Sequence, residues 1–169
     1  MMKQSWTFNK SIRLFLYDNE DPEARQNILK KHLSDASLTP VDEIELERQS
    51  NGKLILKSAQ SSITFSLSHS KDLFLIAIDS KGRPIGIDIE FQNENHDFDL
   101  LARHLYTPQE RDHLATLSGR EKIEWGHRYW CLKEARFKMT GNSLKSSSNE
   151  VSICDGVGEN YIYAACTLI

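Results

Sequence analysis

Three acidic residues in the second half of the chain, Asp88, Glu90 and Glu134, have types and spacings suited to binding a cation or a phosphate. In RPIGIDIEF, residues 83–91, strand alternation puts Ile85, Ile87, Ile89 and Phe91 on one face and Gly86, Asp88 and Glu90 on the other. Two like charges at i, i+2 raise each other's proton affinity unless solvent or a cation separates them. Taken alone, the segment is ordinarily explained as a half-buried strand with a wet polar face. A third carboxylate changes that balance.

EWGHRYWCLKEARFKMTG, residues 124–141, supplies it. At helical spacing Trp125, Tyr129, Leu132 and Met139 form one arc, Trp130 and Phe137 another, with Cys131 and Ala135 between, so a buried helix is expected. Glu134 adjoins Lys133, and Lys138 lies one turn beyond it on the same face. On a surface, a Glu-to-Lys pair at i, i+4 contributes only about 0.3–0.5 kcal/mol. Among tryptophans the carboxylate needs a counter-charge or a cation. Asp88, Glu90 and Glu134 together would give an all-oxygen cluster suited to magnesium, which commonly also holds a phosphate oxygen. Lys133 and Lys138 would then face that phosphate as compact positive charges.

SLSHS, residues 66–70, ends a strand in the first half. Ser68 beside His69 suggests a hydrolase, but no GxSxG elbow is present and adjacent strand residues point apart. The alternatives are a satisfied histidine at a strand end, or a hydroxyl, an imidazole and turn N–H groups gathered for a phosphate.

The elements that must position these groups are well punctuated. SIRLFLYD alternates as a strand, followed by the helix DPEARQNILKKHL with Asp21 as N-cap, Pro22 at N1, and Ala24, Ile28 and Leu33 inward. EIELERQSNGKLIL reads as a hairpin around Asn51-Gly52, and SITFSLSHS and DLFLIAID as two further strands. Thr107–Glu110 and Ser118–Glu121 have capping-box patterns, the second opening a long helix toward a left-handed cap at Gly141. After the polar loop NSLKSSS, EVSIC and YIYAACTLI read as closing strands. The halves are faintly alike, SIRLFLYDNED then a helix ending KKHL against PIGIDIEFQNEN then a helix containing ARHL. An α+β pseudodimer with its cleft between the halves, residues 1–80 and 81–169, is expected.

Composition narrows the classes. With 169 residues, 39% hydrophobic and 27% charged, the chain has the make-up of one soluble globular domain. A net charge of −3 argues against a phosphate-driven nucleic-acid binder. The absence of a signal-peptide core and of any membrane-length apolar run leads to the expectation of a cytoplasmic protein. Cys131, Cys154 and Cys166 form no CxxC pair and the histidines no HExxH, so neither a disulfide framework nor a zinc site is expected.

FSLSHS, IGIDIE and WCLKEARFK, in this order and at these separations, resemble the signatures F(N/S)xSHS, GxDxE and WxxKEAxxK of the 4'-phosphopantetheinyl transferase superfamily, most closely its Sfp type. The resemblance runs from about Ile44 to the C-terminus. It implies a pseudodimer binding coenzyme A and magnesium between its halves, with Asp88, Glu90 and Glu134 as metal ligands and Lys138 neutralising phosphate charge. Ser68 and His69 match the segment that contacts the adenosine phosphate end of coenzyme A. Lys53 matches the GKP lysine, although Leu54 replaces the proline, and Ser66 stands where an asparagine is frequent. Gap-free counting back from Ile44 puts Lys30 at a position that reaches the 3'-phosphate. The basic segment that usually precedes the family's first helix has no counterpart, so Lys10, Arg13 or Lys31 are alternative sources of that charge.

The implied reaction moves phosphopantetheine from coenzyme A to a serine of an apo acyl or peptidyl carrier protein and releases 3',5'-ADP, with Glu134 activating the hydroxyl and Asp88 and Lys138 completing the catalytic set. A built-in pseudodimer leads to the expectation of a monomer. Two rivals belong to other classes: a binding module that keeps the cleft without turnover, and a magnesium-dependent phosphohydrolase that consumes coenzyme A without a carrier.

Overall fold

The apolar faces predicted from strand alternation pair off into layers. The computed structural model describes residues 1–8, 10–18, 20–50, 52–57, 62–93, 96–141, 150–156 and 160–168, the side chains of 150–155 excepted. Strands β1 (Met2–Phe8), β2 (Ile12–Asp18), β5 (Thr64–Ser70) and β6 (Leu73–Asp79) form an antiparallel sheet in the order β1-β2-β6-β5. Strands β7 (Ile85–Phe91), β8 (Glu150–Gly156) and β9 (Tyr161–Leu168) form a second, in the order β7-β9-β8. Ile12, Leu14 and Leu16 of β2 and Leu73, Leu75 and Ala77 of β6 meet Ile85, Ile87 and Ile89 of β7 and Tyr163 and Ala165 of β9 in one core. The two sheets therefore pack face to face.

A helix covers the outer face of each sheet. Helix α1 (Pro22–Ser37) starts as its sequence demands: Asp21 Oδ1 accepts the Glu23 and Ala24 amides at 2.9 and 3.0 Å, and proline opens the first turn. Its inward residues are Leu29 and Leu33, packed on Phe15, Phe74, Ile76 and Ile78, with Ile28 only half-buried beside them. On the other side helices α2 (Phe98–Leu105), α3 (Pro108–Ala115) and α4 (Gly119–Thr140) follow β7. Cys131, Ala135 and Met139 of α4 pack on Ile162, Ala164 and Cys166 of β9. A hairpin of β3 (Leu46–Arg48) and β4 (Leu54–Leu56) turns through Gly52 at φ 84°. Asn51, the loop NSLKSSS and the side chain of Cys154 lie outside the described residues.

Several expectations need amending. The capping box at Thr107 and Glu110 forms, whereas Ser118 makes no side-chain cap on α4. Helix α4 is not buried all round: Trp125 and Phe137 are 38% and 46% exposed. Strand β1 is an added element that pairs only with β2 at the sheet edge. The α+β class holds, and each half supplies one sheet and its covering helix. The strand orders differ, four strands against three. Among the described residues no helix is long and apolar enough to cross a membrane.

Candidate active site

Gly86 sets the position of α4. A Cβ at Gly86 would lie 1.9 Å from the Ala135 carbonyl oxygen, so the helix backbone rests directly on the strand. Asp88 and Glu90 share Gly86's face of β7 and so meet the helix surface that carries Glu134 and Lys138. Lys138 Nζ lies 2.7 Å from Asp88 Oδ1 and 3.0 Å from Ser68 Oγ. Ser68 Oγ donates to Asp88 Oδ1 at 2.9 Å. Glu90 is held at both oxygens, Oε2 by the Ser70 hydroxyl at 3.0 Å and Oε1 by Trp130 Nε1 at 3.3 Å.

The cluster is short of positive charge. Burial, then the charge of Asp88, raises the pKa of Glu90; the Ser70 and Trp130 hydrogen bonds and Lys138 work against that rise. Burial and Asp88 raise Glu134 as well. Asp88 Oδ2 is buried and has no hydrogen-bond partner, an acceptor that a cation would satisfy. These hard oxygen donors fit magnesium by chemistry. By geometry, no three His, Cys, Asp or Glu side chains among the described residues stand close enough to enclose an ion unaided.

Two adjoining clefts extend from this cluster. The first, of about 380 Å³, lies between Glu134, Phe137 and Lys138 of α4 and Arg48, Lys53 and Phe65 of the first half. The second, of about 440 Å³, is lined by Arg25, Gln26, Arg48, Ser68 and His69, among others. Arg48, Leu54 and Leu67 line both. Lys53 Nζ also donates to the Lys138 carbonyl at 3.0 Å, where the C-terminal end of α4 favours a cation. The His69 pKa is depressed by burial and by the nearby charges of Arg25 and Lys138. Arg25 and Arg48 give this end of the second cleft its positive charge.

The structure gathers Asp88, Glu90, Glu134, Lys138, Ser68, His69 and Lys53 as expected, but not Lys133 or Lys30. Lys133 is 1% exposed and pairs at 2.7 Å with Glu110 Oε2, 5.5 Å from the centre of the Tyr106 ring. One residue on a helix is a turn of about 100°, which swings it from the cleft toward α3. Lys30 lines neither cleft, and its charge acts on Glu45. Arg25 and Arg48 were missed. Pro22, Arg25, Gln26 and Leu29 occupy one face of α1 at i, i+3, i+4 and i+7, a signal that could have preferred Arg25 to Lys30.

A carboxylate pair with one unsatisfied buried oxygen, a third carboxylate of raised pKa and a cleft bearing two arginines meet here, a donor set whose chemistry suits a phosphate-bearing ligand. Comparison with known proteins agrees: residues 84–166 match the model of the 4'-phosphopantetheinyl transferase superfamily. The second half of the chain is thus similar to that superfamily. It is 36% identical over 104 residues to the 4'-phosphopantetheinyl transferase HetI of Nostoc sp., covering 60% of this chain and 44% of that protein. It is also 26% identical over 141 residues to the L-aminoadipate-semialdehyde dehydrogenase-phosphopantetheinyl transferase of Xenopus laevis, covering 78% of this chain and 46% of that protein. The chain thus spans less than half the length of these curated relatives.

Proposed function

We propose that this chain transfers the 4'-phosphopantetheine group of coenzyme A to a serine of an apo acyl or peptidyl carrier protein, releasing 3',5'-ADP, in the manner of the Sfp type. The observation that carries the reading is the Asp88–Ser68–Lys138 contact beside Glu134, at the junction of two clefts whose far end holds Arg25, Arg48 and His69. An elongated polyanionic nucleotide fits that layout, with its phosphates spread between the cationic end and the carboxylate cluster.

Asp88, Glu90 and Glu134 are the residues that would hold magnesium, and the ion would supply charge neutralisation to the pyrophosphate. Lys138 releases Asp88 and turns its ammonium to the phosphate, while Lys53 and Arg48 fix the nucleotide's orientation. Glu134, whose proton affinity is raised by burial and by Asp88, takes the proton of the carrier's serine hydroxyl. The serine oxygen bonds to the β-phosphorus, the phosphorus–oxygen bond to the α-phosphate breaks, and 3',5'-ADP leaves with that electron pair. No serine of this chain is consumed. A monomer formed by the two halves, residues 1–80 and 81–169, completes the proposal.

The test is incubation with coenzyme A, magnesium and a panel of apo carriers, read by mass spectrometry. A gain of one phosphopantetheine group on a carrier supports transfer. Coenzyme A breakdown without a carrier would indicate a phosphohydrolase, and binding without any mass gain would indicate a non-catalytic module; either overturns the proposal.

A further inference from the structure

Strands β5 and β7 run side by side where the two sheets meet, and a row of serines joins them. Strand β7 pairs with β9 on one edge, so the amides of Ile87, Ile89 and Phe91 point to the other edge, where they need acceptors. Ser66, Ser68 and Ser70 supply them: Ile87 N donates to Ser66 Oγ at 3.1 Å, Ile89 N to Ser68 Oγ at 3.3 Å and Phe91 N to Ser70 Oγ at 3.0 Å. Each hydroxyl keeps its own proton to give away. Ser68 gives it to Asp88 Oδ1 and Ser70 to Glu90 Oε2. Ser66 stands beside Gly86 in the same register and has no carboxylate to serve.

We propose that Ser68 and Ser70 are positioning residues, each using one β7 amide to fix its oxygen and its own proton to aim the neighbouring carboxylate, Asp88 or Glu90, into the site. This rests on the reading of those carboxylates given under the proposed function. The one-to-one register makes the device specific, because a slip of one residue in β5 would turn the hydroxyls to the α1 side of their sheet, where Phe65 and Leu67 pack. The far end of the row is clamped: Lys71 Nζ sits 3.1 Å from the centre of the Phe91 ring, and Tyr161, which donates to Asp72, stacks edge-on against Phe91 at 5.3 Å. These contacts tie the turn that follows Ser70 to the end of β7 that carries Glu90. Ser68 also accepts from Lys138, so Ser70 is the cleaner probe.

The experiment compares Ser70→Ala, Ser70→Thr, Ser66→Ala and Glu90→Gln for Mn²⁺ affinity by calorimetry and for melting temperature. A lost orienting hydrogen bond around a metal ligand typically costs about tenfold in metal affinity. Ser70→Ala should show a Kd raised by about that factor, Ser70→Thr should restore it, and Ser66→Ala should lower the melting temperature with no change in affinity. Equal affinity in Ser70→Ala and the parent chain, with Glu90→Gln weakened, would overturn the positioning role. Unchanged affinity in Glu90→Gln as well would instead overturn the carboxylate reading beneath it. If Ser66→Ala weakens binding as much as Ser70→Ala, the row serves only to join the sheets, and the proposal fails.

Discussion

At the scale of single residues, Glu134 and Lys133 show how one step along a helix separates chemistry from support. Glu134 lines the first cleft, and burial and the charge of Asp88 raise its pKa; removing its charge relieves repulsion and leaves packing alone. Glu134→Gln should reduce carrier modification by about 10²- to 10⁴-fold with an equal or higher melting temperature, read by single-turnover mass analysis and calorimetry. Lys133, buried against Glu110, should behave oppositely. Lys133→Ala leaves a half-sequestered carboxylate at the N-terminus of α3 and should cost about 3–5 kcal/mol in urea unfolding, with coenzyme A affinity retained in the folded fraction. The spacing of Glu134 and Lys138 made their shared face readable from sequence. Lys133's partner was not, because Glu110 lies 23 positions away on another helix and already had an evident local task in a capping box.

At the scale of elements, β7 and α4 meet backbone against backbone at Gly86. The alternation of IGIDIE predicts which side chains share a face, and the structure agrees, Gly86 against the helix and Ile85, Ile87 and Ile89 in the inter-sheet core. Sequence could not show why the glycine is needed, since nothing in the local pattern says that a backbone crosses there. Gly86→Ala places a methyl group where the Ala135 carbonyl stands and should destabilise by about 3 kcal/mol or more, with transfer reduced because Glu134 and Lys138 are lifted from Asp88. Chemical denaturation and the carrier assay on the same sample would check both. The cationic end of the cleft was the least legible part: Arg25 and Arg48 belong to a helix and a short hairpin, and neither segment carries a motif that joins them. Gap-free counting chose Lys30, which is off the face that α1 presents to the cleft.

At the scale of the whole molecule, acid sensitivity follows from a histidine the chemistry does not use. His127 is fully buried between α2 and β7, 5.1 Å from the ring of His96 and 4.7 Å from that of Phe98. Nδ1 lies 2.8 Å from the Ile123 carbonyl and so carries the proton, leaving Nε2 to accept the Asn93 amide at 3.2 Å. Burial lowers its pKa below the ordinary 6.5. As pH falls through that ordinary value the unfolded chain binds the proton first, so the stability contributed by neutral His127 is complete above it and is lost on acidification toward the folded pKa. Melting temperature should fall between about pH 7.5 and pH 5.5, and less steeply in His127→Gln. His32 and His69, also depressed by burial, add to the slope, while the raised Glu90 and Glu134 oppose it.

The serine row has one more consequence. Where other neighbouring strands are laced main chain to main chain, β5 and β7 are joined through hydroxymethyl groups, each a single rotatable bond from letting go. The amides of Ile87, Ile89 and Phe91 should therefore trade their hydrogens for deuterium sooner than other equally deep amides of β7, marking the suture along which the two sheets first part company.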